Sequence, residues 1–329
     1  MKELSSFDLF FLTRELKTLI GGKIDNIYQY SKKHLAFQVF ITGKGTVFFN
    51  WNNSFIFLSD KKEKDPVEMQ LSKQLKKVLD QARINDVYQK GFERVLVFEL
   101  STRDEKYKLI FELFKPFNLI FLDSENKIKF LAQQAIYPKR KIKLKEGYVF
   151  PESKNNFLEI RSKEFLEIAK NSEMRTLATF LAVEMNMGGK WAEEILVRAA
   201  IDKNKKPNEM KREEAEDIIS IKEEIKNENI DACINNNEAL PFMFVKFDEK
   251  LNVNQTSFSE ALSSIIPKQE LQNPYTSIIE KQKAVIGDLK KDIELNREIG
   301  DAIYSNYEKV KSELDKHKKL RAKEIKINI

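Results

Sequence analysis

Residues 91–123, GFERVLVFELSTRDEKYKLIFELFKPFNLIFLD, decide the fold class. Short runs of valine, leucine, isoleucine and phenylalanine alternate with polar positions. They are separated by polar turns, as in antiparallel strands of period two. Neighbouring residues of a strand point to opposite faces. Glu93, Val95, Val97 and Glu99 therefore share one face, and Arg94, Leu96, Phe98 and Leu100 the other. Arg94 heads the more apolar row. A guanidinium there needs a carboxylate, a phosphate, or a place at the open end of the sheet. Asp8, near the start of a helical stretch, is one candidate protein partner. The pattern alone leaves a structural ion pair and a functional site both open.

Upstream, SSFDLFFLTRELKTLIGG reads as a helix capped by Ser5 or Ser6, with Asp8 in its first turn and Gly21-Gly22 ending it. KIDNIYQYS is a strand. HLAFQVFITGKGTVFFNW is a hairpin about a Gly-Lys-Gly turn, SFIFLS a further strand, and PVEMQLSKQLKKVLDQA a helix with Pro66 near its start. Downstream, IKFLAQQ continues the strands and LKEGYVFP closes the region. Helix, strands, helix, strands describes an α+β domain built on antiparallel sheet.

From about residue 160 the period becomes helical. RTLATFLAVEMNMGGKWAEEILVRAAID reads as two helices joined by Met187-Gly188-Gly189, and KREEAEDIISIKEEIKN as another. PFMFVKF returns to a strand-like pattern, and FSEALSSII is a short helix. In the last segment Ile279, Ile286, Ile293, Tyr307 and Leu314 keep one seven-residue spacing, and Leu289, Ile303 and Val310 the other. About five heptads with charged flanks predict a coiled-coil arm, with a solvated single helix as the alternative. The expected division is 1–160, 161–235, 236–274 and 275–329.

Composition narrows the chemistry. The 329 residues carry a net charge of +6, which permits a polyanionic partner without requiring one. Cys233 is the one cysteine, so no intrachain disulfide forms and a cytoplasmic setting is expected. His34 and His317 are the two histidines, too few for a Cys/His zinc site, and no metal or cofactor is expected. IGGKI lacks the upstream glycine and the hydroxyl residue of a P-loop. No stretch has the ~20 apolar residues of a membrane span. The densest basic run outside the arm is YPKRKIKLKEG, with Lys139, Arg140, Lys141, Lys143 and Lys145, suited to phosphate contact or to a solvated face. A glycine pair between helices, Gly188-Gly189 followed by Lys190, can present backbone amides to a phosphate or serve as a plain turn.

Taken in order, these segments resemble the NFACT family of ribosome-associated quality-control factors of the RqcH type, formerly described as fibronectin-binding proteins. The resemblance is carried by SSFDLFFLTRELKTLIGGKIDNIYQ, GFERVLVFEL, FELFKPFNLIFLD, GYVFP, LAVEMNMGGKWAEEILVRAAID, FSEAL and AIYSNYEKV. It implies a first domain like the DNA-glycosylase N-terminal fold, then a helix-hairpin-helix domain and a coiled-coil arm. It further implies binding to the large ribosomal subunit with a stalled peptidyl-tRNA, and recruitment of tRNA for mRNA-free tail addition. The ribosome would do the peptide chemistry, so the chain itself is expected not to be an enzyme. The family's acidic and Asp-Arg cluster for tRNA falls here on Asp8, Glu93 and Arg94, with Glu112 a weaker match. Glu93 replaces the family aspartate and is one methylene longer. The sequence stops at RAKEIKINI, before the family's C-terminal RNA-binding domain, so the expectation is either a fragment of a longer protein or a natural short form that needs a separate chain to supply that domain. Two other readings stand beside this one. One is a glycosylase or lyase using the Lys2 amine followed by Glu3. The other is a protein-interaction scaffold built on the arm.

Overall fold

A computed structural model of the protein describes residues 3–152, 155–266 and 276–327. It divides into two units, Met1–Lys268 and Gln269–Ile329. The first opens with α1 (Ser6–Leu16), and Ser5 caps it in full: its hydroxyl accepts the Asp8 amide, and the Asp8 carboxylate accepts the Ser5 amide. Then come β1 (Lys23–Ser31), β2 (His34–Ile41), β3 (Gly45–Asn52) and β4 (Phe55–Ser59), α2 (Gln70–Leu79), and β5 (Arg83–Gln89), β6 (Val95–Ser101), β7 (Lys106–Glu112), β8 (Asn118–Leu122) and β9 (Ile128–Leu131). The nine strands make one antiparallel sheet in the order β4-β3-β2-β1-β5-β6-β7-β8-β9. A small hairpin, β10 (Ala135–Tyr137) with β11 (Arg140–Ile142), follows.

Each strand follows its sequence pattern, but β6 buries both faces. Leu96, Phe98 and Leu100 enter the main core with Phe37, Phe49 and Phe111. Val95 and Val97 enter a second cluster with Ile110, Ile120 and Ile142 of β11. The strand itself starts at Val95, so Glu93 and Arg94 lie in the preceding turn. The α2 helix starts at Gln70, not near Pro66. Before it the chain is extended, and the Val67 amide donates to the Gln29 carbonyl at 2.7 Å on β1.

An internal duplication runs through the sheet. Lys23-Ile24-Asp25-Asn26-Ile27-Tyr28-Gln29 opens β1, and Arg83-Ile84-Asn85-Asp86-Val87-Tyr88-Gln89 makes up β5. Both carry a bulge at the same place, between Ile24 and Asn26 and between Ile84 and Asp86. In both, the side chain just after the bulge accepts the next amide at 2.8 Å, Asn26 Oδ1 from Ile27 and Asp86 Oδ1 from Val87. The copies meet in reciprocal pairs: Gly21 N–H to Ile84 O and Gln81 N–H to Ile24 O, then Ile24 N–H to Ala82 O and Ile84 N–H to Gly22 O. This is a local two-fold axis. The helices are exchanged across it: α1 lies on β5 and α2 on β1.

The rest of the first unit is helical and covers α1. It comprises α3 (Ser162–Lys170), α4 (Leu177–Thr179) running into a π-helical turn at Phe180–Glu184, α5 (Gly189–Arg198), α6 (Arg212–Asn227), the short strands β12 (Cys233–Asn235), β13 (Glu238–Leu240) and β14 (Val253–Asn254), and α7 (Phe258–Ile265). Residues 241–247, expected as a strand, are irregular. Phe242 and Phe244 instead turn inward onto Trp191, with ring centroids at 5.8 and 4.7 Å. Trp191 also stacks on Phe7 and Phe11 of α1. That aromatic cluster welds the helical part to α1.

The second unit contains α8 (Thr276–Ser305) and α9 (Tyr307–Ile327). The helical ladder passes the link, with Asn306 N–H on Ala302 O at 3.1 Å and Val310 N–H on Asn306 O at 3.0 Å. Ile286, Leu289, Ile293, Ile303, Tyr307 and Leu314 of the heptad seam are 45% to 65% exposed. The Ile279 side chain lies outside the described residues. Among the described residues no helix is long and apolar enough to cross a membrane.

Candidate nucleic-acid interface

Asp8, Glu93 and Arg94 gather around two chain segments, the entry to α1 and the turn before α5. Asp8 is the third residue of α1. Its Oδ2 accepts the Ser5 amide at 2.9 Å and the Ser5 hydroxyl at 2.8 Å. Its Oδ1 accepts Lys190 Nζ at 2.8 Å and Trp191 Nε1 at 3.0 Å. The capping box fixes the direction of the carboxylate, so its second oxygen faces the first turn of α5. Asp8 is fully buried, and the Lys190 side chain is 13% exposed. Asp8 therefore pairs with Lys190. Arg94, for which it was the candidate partner, pairs elsewhere.

Arg94 Nη1 donates to Glu3 Oε2 at 2.9 Å, with side chains 28% and 31% exposed. Lys115 Nζ reaches the other Glu3 oxygen at 3.6 Å. The Arg94 carbonyl accepts the Leu113 amide at 2.9 Å, which fixes its backbone at the sheet end. Arg94 thus stays at the rim because β6 has not yet begun there, and the apolar row behind it starts at Leu96.

Glu93 faces the other way along the turn. Its Oε2 accepts Asn186 Nδ2 at 2.9 Å, and Asn186 Nδ2 also donates to Phe92 O at 3.1 Å. Gln89 Nε2 donates to Glu93 O and to Ser6 O, both at 2.9 Å. Glu93 and Asp8 therefore clamp the segment 186–191 from two sides. Gly188, at φ +81°, lies against Ser5, where a Cβ would come within 3.0 Å of Ser5 Cβ. Its amide donates inward to Ala182 O at 3.1 Å. Of the two readings of the glycine pair, the Gly188 amide follows the plain turn, since the π-helical turn captures it. Gly189 opens α5 and is exposed.

Glu112, Arg140 and Lys139 lie apart from this cluster by their contacts. Glu112 is fully buried at the end of β7, where Arg140 Nη1 and the Tyr148 hydroxyl both donate to its Oε1, the latter at 2.8 Å. The Tyr137 hydroxyl stands 3.5 Å from Oε2, and the Arg140 guanidinium lies 4.3 Å above the Tyr137 ring. The Arg140 side chain is 7% exposed. Burial, reinforced by the Glu112 charge, pushes the Tyr148 phenol well above its usual range and raises that of Tyr137. Lys139 pairs with Glu152 at 2.7 Å in the open, and Lys141 is exposed on β11. Of the basic run, then, the arginine is turned in and the lysines out. Alternation on the hairpin explains this: Arg140 faces the second core with Ile142, and Lys141 faces solvent. Lys2, the amine of the lyase reading, lies outside the described residues.

Glu3 and Asn186 were missed in the sequence as members of the cluster. Glu3 figures in the sequence only beside Lys2 in the lyase alternative, not as a partner of Arg94. Asn186 takes a left-handed φ of 56°, which its type tolerates but does not announce.

A mixed body with a nine-stranded antiparallel sheet, a helical layer closed onto its first helix and a separate long-helix arm defines the class. The chain belongs to the NFACT family: the family model for the NFACT N-terminal and middle domains matches residues 5–323. It is 26% identical over 355 residues to the archaeal Rqc2 homolog aRqcH of Methanocaldococcus jannaschii, across 98% of this chain and 53% of that protein. It is 26% identical over 222 residues to the ribosome quality control complex subunit NEMF homolog of Drosophila melanogaster, across 65% of this chain and 22% of that protein. The chain thus spans about half or less of these relatives' length. In fold it is similar to the N-terminal part of a fibronectin/fibrinogen-binding protein from Streptococcus suis (TM-score 0.66, 19% identity, 80% of this chain and 98% of that one). A fibrinogen binding protein from Staphylococcus aureus matches likewise (TM-score 0.66, 16% identity, 80% and 98%).

Proposed function

We propose that this chain is a nucleic-acid-binding factor of ribosome-associated quality control. In this reading it engages the large ribosomal subunit with a stalled peptidyl-tRNA and recruits tRNA for mRNA-free tail addition, the peptide chemistry being the ribosome's. Family membership supports the reading, as do two relatives named for Rqc2 and for a ribosome quality control complex subunit. The observation that carries the RNA-binding part is Arg94: a part-exposed guanidinium at the sheet rim, held by an equally exposed Glu3. Such a pair exchanges its carboxylate for a phosphate at little cost, since an exposed ion pair contributes only about 0–1 kcal/mol.

In the same reading Asp8, Glu93 and Lys190 position the turn that carries Gly189. The first amides of α5 then face the RNA backbone, as a helix N-terminus allows. Lys139 and Lys141 add phosphate contacts, and Glu112 with Arg140 fixes the hairpin that bears them. The region 1–160 is the glycosylase-like domain, 161–235 the helix-hairpin-helix domain and 236–274 their connection. The arm from 275 docks on the ribosome.

The test is tRNA binding by wild type and Arg94→Ala across a salt series. Wild-type affinity should fall linearly on logarithmic axes, and the variant should bind at least about tenfold more weakly with a shallower slope. Unchanged binding by Arg94→Ala would remove the rim from the site. Ribosome co-sedimentation of a chain lacking 275–329 separates docking by the arm from RNA contact by the body.

A further inference from the structure

The duplication makes α1 and α2 counterparts, yet their outer faces differ. Phe7, Asp8, Phe11 and Leu12 of α1 are buried beneath Trp191 and its neighbours. On α2 only Ser72, Leu75 and Leu79 are buried, facing the sheet. Lys73, Lys76 and Lys77 occupy one exposed side at i, i+3 and i+4. Between that side and β1 runs an open groove of about 510 Å³, with Asp25 and Asn26 on its opposite wall. A second hollow of about 400 Å³ also draws on Lys73 and Lys77.

Two cations converge at this place. Lys62 Nζ lies 4.5 Å and Lys76 Nζ 5.4 Å from the centroid of the Tyr28 ring, which belongs to β1. Among the described residues no carboxylate lies within ion-pair distance of Lys62, Lys76 or Lys77. Lys73 has Glu68 at 2.7 Å, but with side chains 61% and 84% exposed that pair is readily exchanged. Lys62, Lys76 and Lys77 have no carboxylate in direct contact, Glu68 acting on Lys76 only at longer range, so a bound anion relieves part of the repulsion among the lysines. The opposite wall is not cationic. Asp25 accepts Gln38 Nε2 at 2.6 Å, and Asp80 closes one end. Asp25 and Asp80 favour a ligand that carries hydrogen-bond donors along its length as well as anionic groups. RNA presents phosphates for the lysines together with 2′-hydroxyl and base amino donors for the carboxylates.

We propose that the groove between α2 and β1 is a second RNA-binding surface, in which Lys73, Lys76 and Lys77, extended by Lys62 over the neighbouring Tyr28 ring, take the phosphate backbone and Asp25 accepts from ribose hydroxyls. It is separate from the Arg94 rim and does not depend on it. The test uses the full chain with the four lysines changed together to glutamine, which keeps helix propensity, beside Arg94→Ala and Asp25→Asn. The probes are a mixed-sequence single-stranded RNA, DNA of the same sequence, and polyglutamate. Loss of three to four phosphate contacts should weaken RNA binding about tenfold or more at 0.1 M salt and flatten the salt slope by about 2–3, at ~0.7 per contact. Asp25→Asn should narrow the preference for RNA over DNA. Far-ultraviolet circular dichroism and urea unfolding of the lysine variant should match wild type.

Unchanged RNA affinity and slope in the lysine variant would overturn the proposal, even if Arg94→Ala lost tRNA. So would polyglutamate binding that matches RNA binding and falls with it, which would mark a protein-docking face. Loss in the lysine variant with none in Arg94→Ala would uphold the groove and remove the rim.

Discussion

Asp8 and Lys190 meet at 2.8 Å, so that one carboxylate caps α1 and holds the first turn of α5. Both partners are largely out of water, where an ion pair adds little net stability but removal of one member is costly. Asp8→Ala should lower unfolding free energy by about 3–5 kcal/mol in urea denaturation, because it strands the ammonium and opens the cap. Asp8→Asn with Lys190→Met should recover much of that loss, since no unpaired charge is then buried. Equal losses in the single and double variants would show that the pair is not the source.

The Glu3–Arg94 pair predicts the opposite balance. With both side chains near 30% exposed, Arg94→Ala should cost at most about 1 kcal/mol of stability while weakening tRNA binding. Glu3→Gln removes the competitor for the guanidinium and should bind tRNA as tightly as wild type or more tightly. A Glu3→Gln variant that loses affinity would mean that the carboxylate, not only the arginine, contacts RNA.

The buried group under the β10–β11 hairpin carries an alkaline signature. Tyr148 and Tyr137 have phenols raised above the unfolded value of about 10, by burial first and then by the Glu112 charge. The folded state therefore holds these protons where the unfolded chain has begun to lose them. Their contribution is complete below about pH 10 and is lost as pH rises beyond it. Unfolding free energy measured from pH 8 to 11.5 should decline at the upper end, and less steeply in Tyr148→Phe. Glu112→Ala should cost about 3–5 kcal/mol at neutral pH, because it leaves the Arg140 guanidinium buried and unpaired.

Much of this was legible in the residues and some was not, for physical reasons. Local pattern gave β1, the β2–β3 hairpin and a serine cap at Ser5 or Ser6, which the structure places on Ser5, because period and turn chemistry are short-range. It placed Arg94 at a strand mouth, which is where the rim lies. It did not give the inward turn of Arg140, since a basic run reads as solvated until a buried carboxylate such as Glu112 is known to face it. Nor did it give the irregular 241–247 segment, where packing of Phe242 and Phe244 on Trp191 overrides an alternating pattern. Pro66 suggested a helix start, but the Val67 bond to Gln29, a pairing between distant segments, postpones the helix to Gln70.

Gly188 and Gly189 look alike in sequence and should respond oppositely to alanine. At Gly188 the backbone is left-handed and a Cβ would press on Ser5 at 3.0 Å. Gly188→Ala should therefore cost about 1–3 kcal/mol and disturb the Asp8 cap beside it. At Gly189 the backbone is helical, and a Cβ would meet nothing within 4 Å among the described residues. Gly189→Ala should leave stability unchanged or raise it by up to about 1 kcal/mol. Its methyl would nevertheless stand over the first amides of α5, where a phosphate must approach closely. If those amides face RNA, Gly189→Ala should bind tRNA several-fold more weakly with no loss of thermal stability. A variant as stable and as tight as wild type would confine the turn to positioning and leave Arg94 as the contact at that end of the sheet.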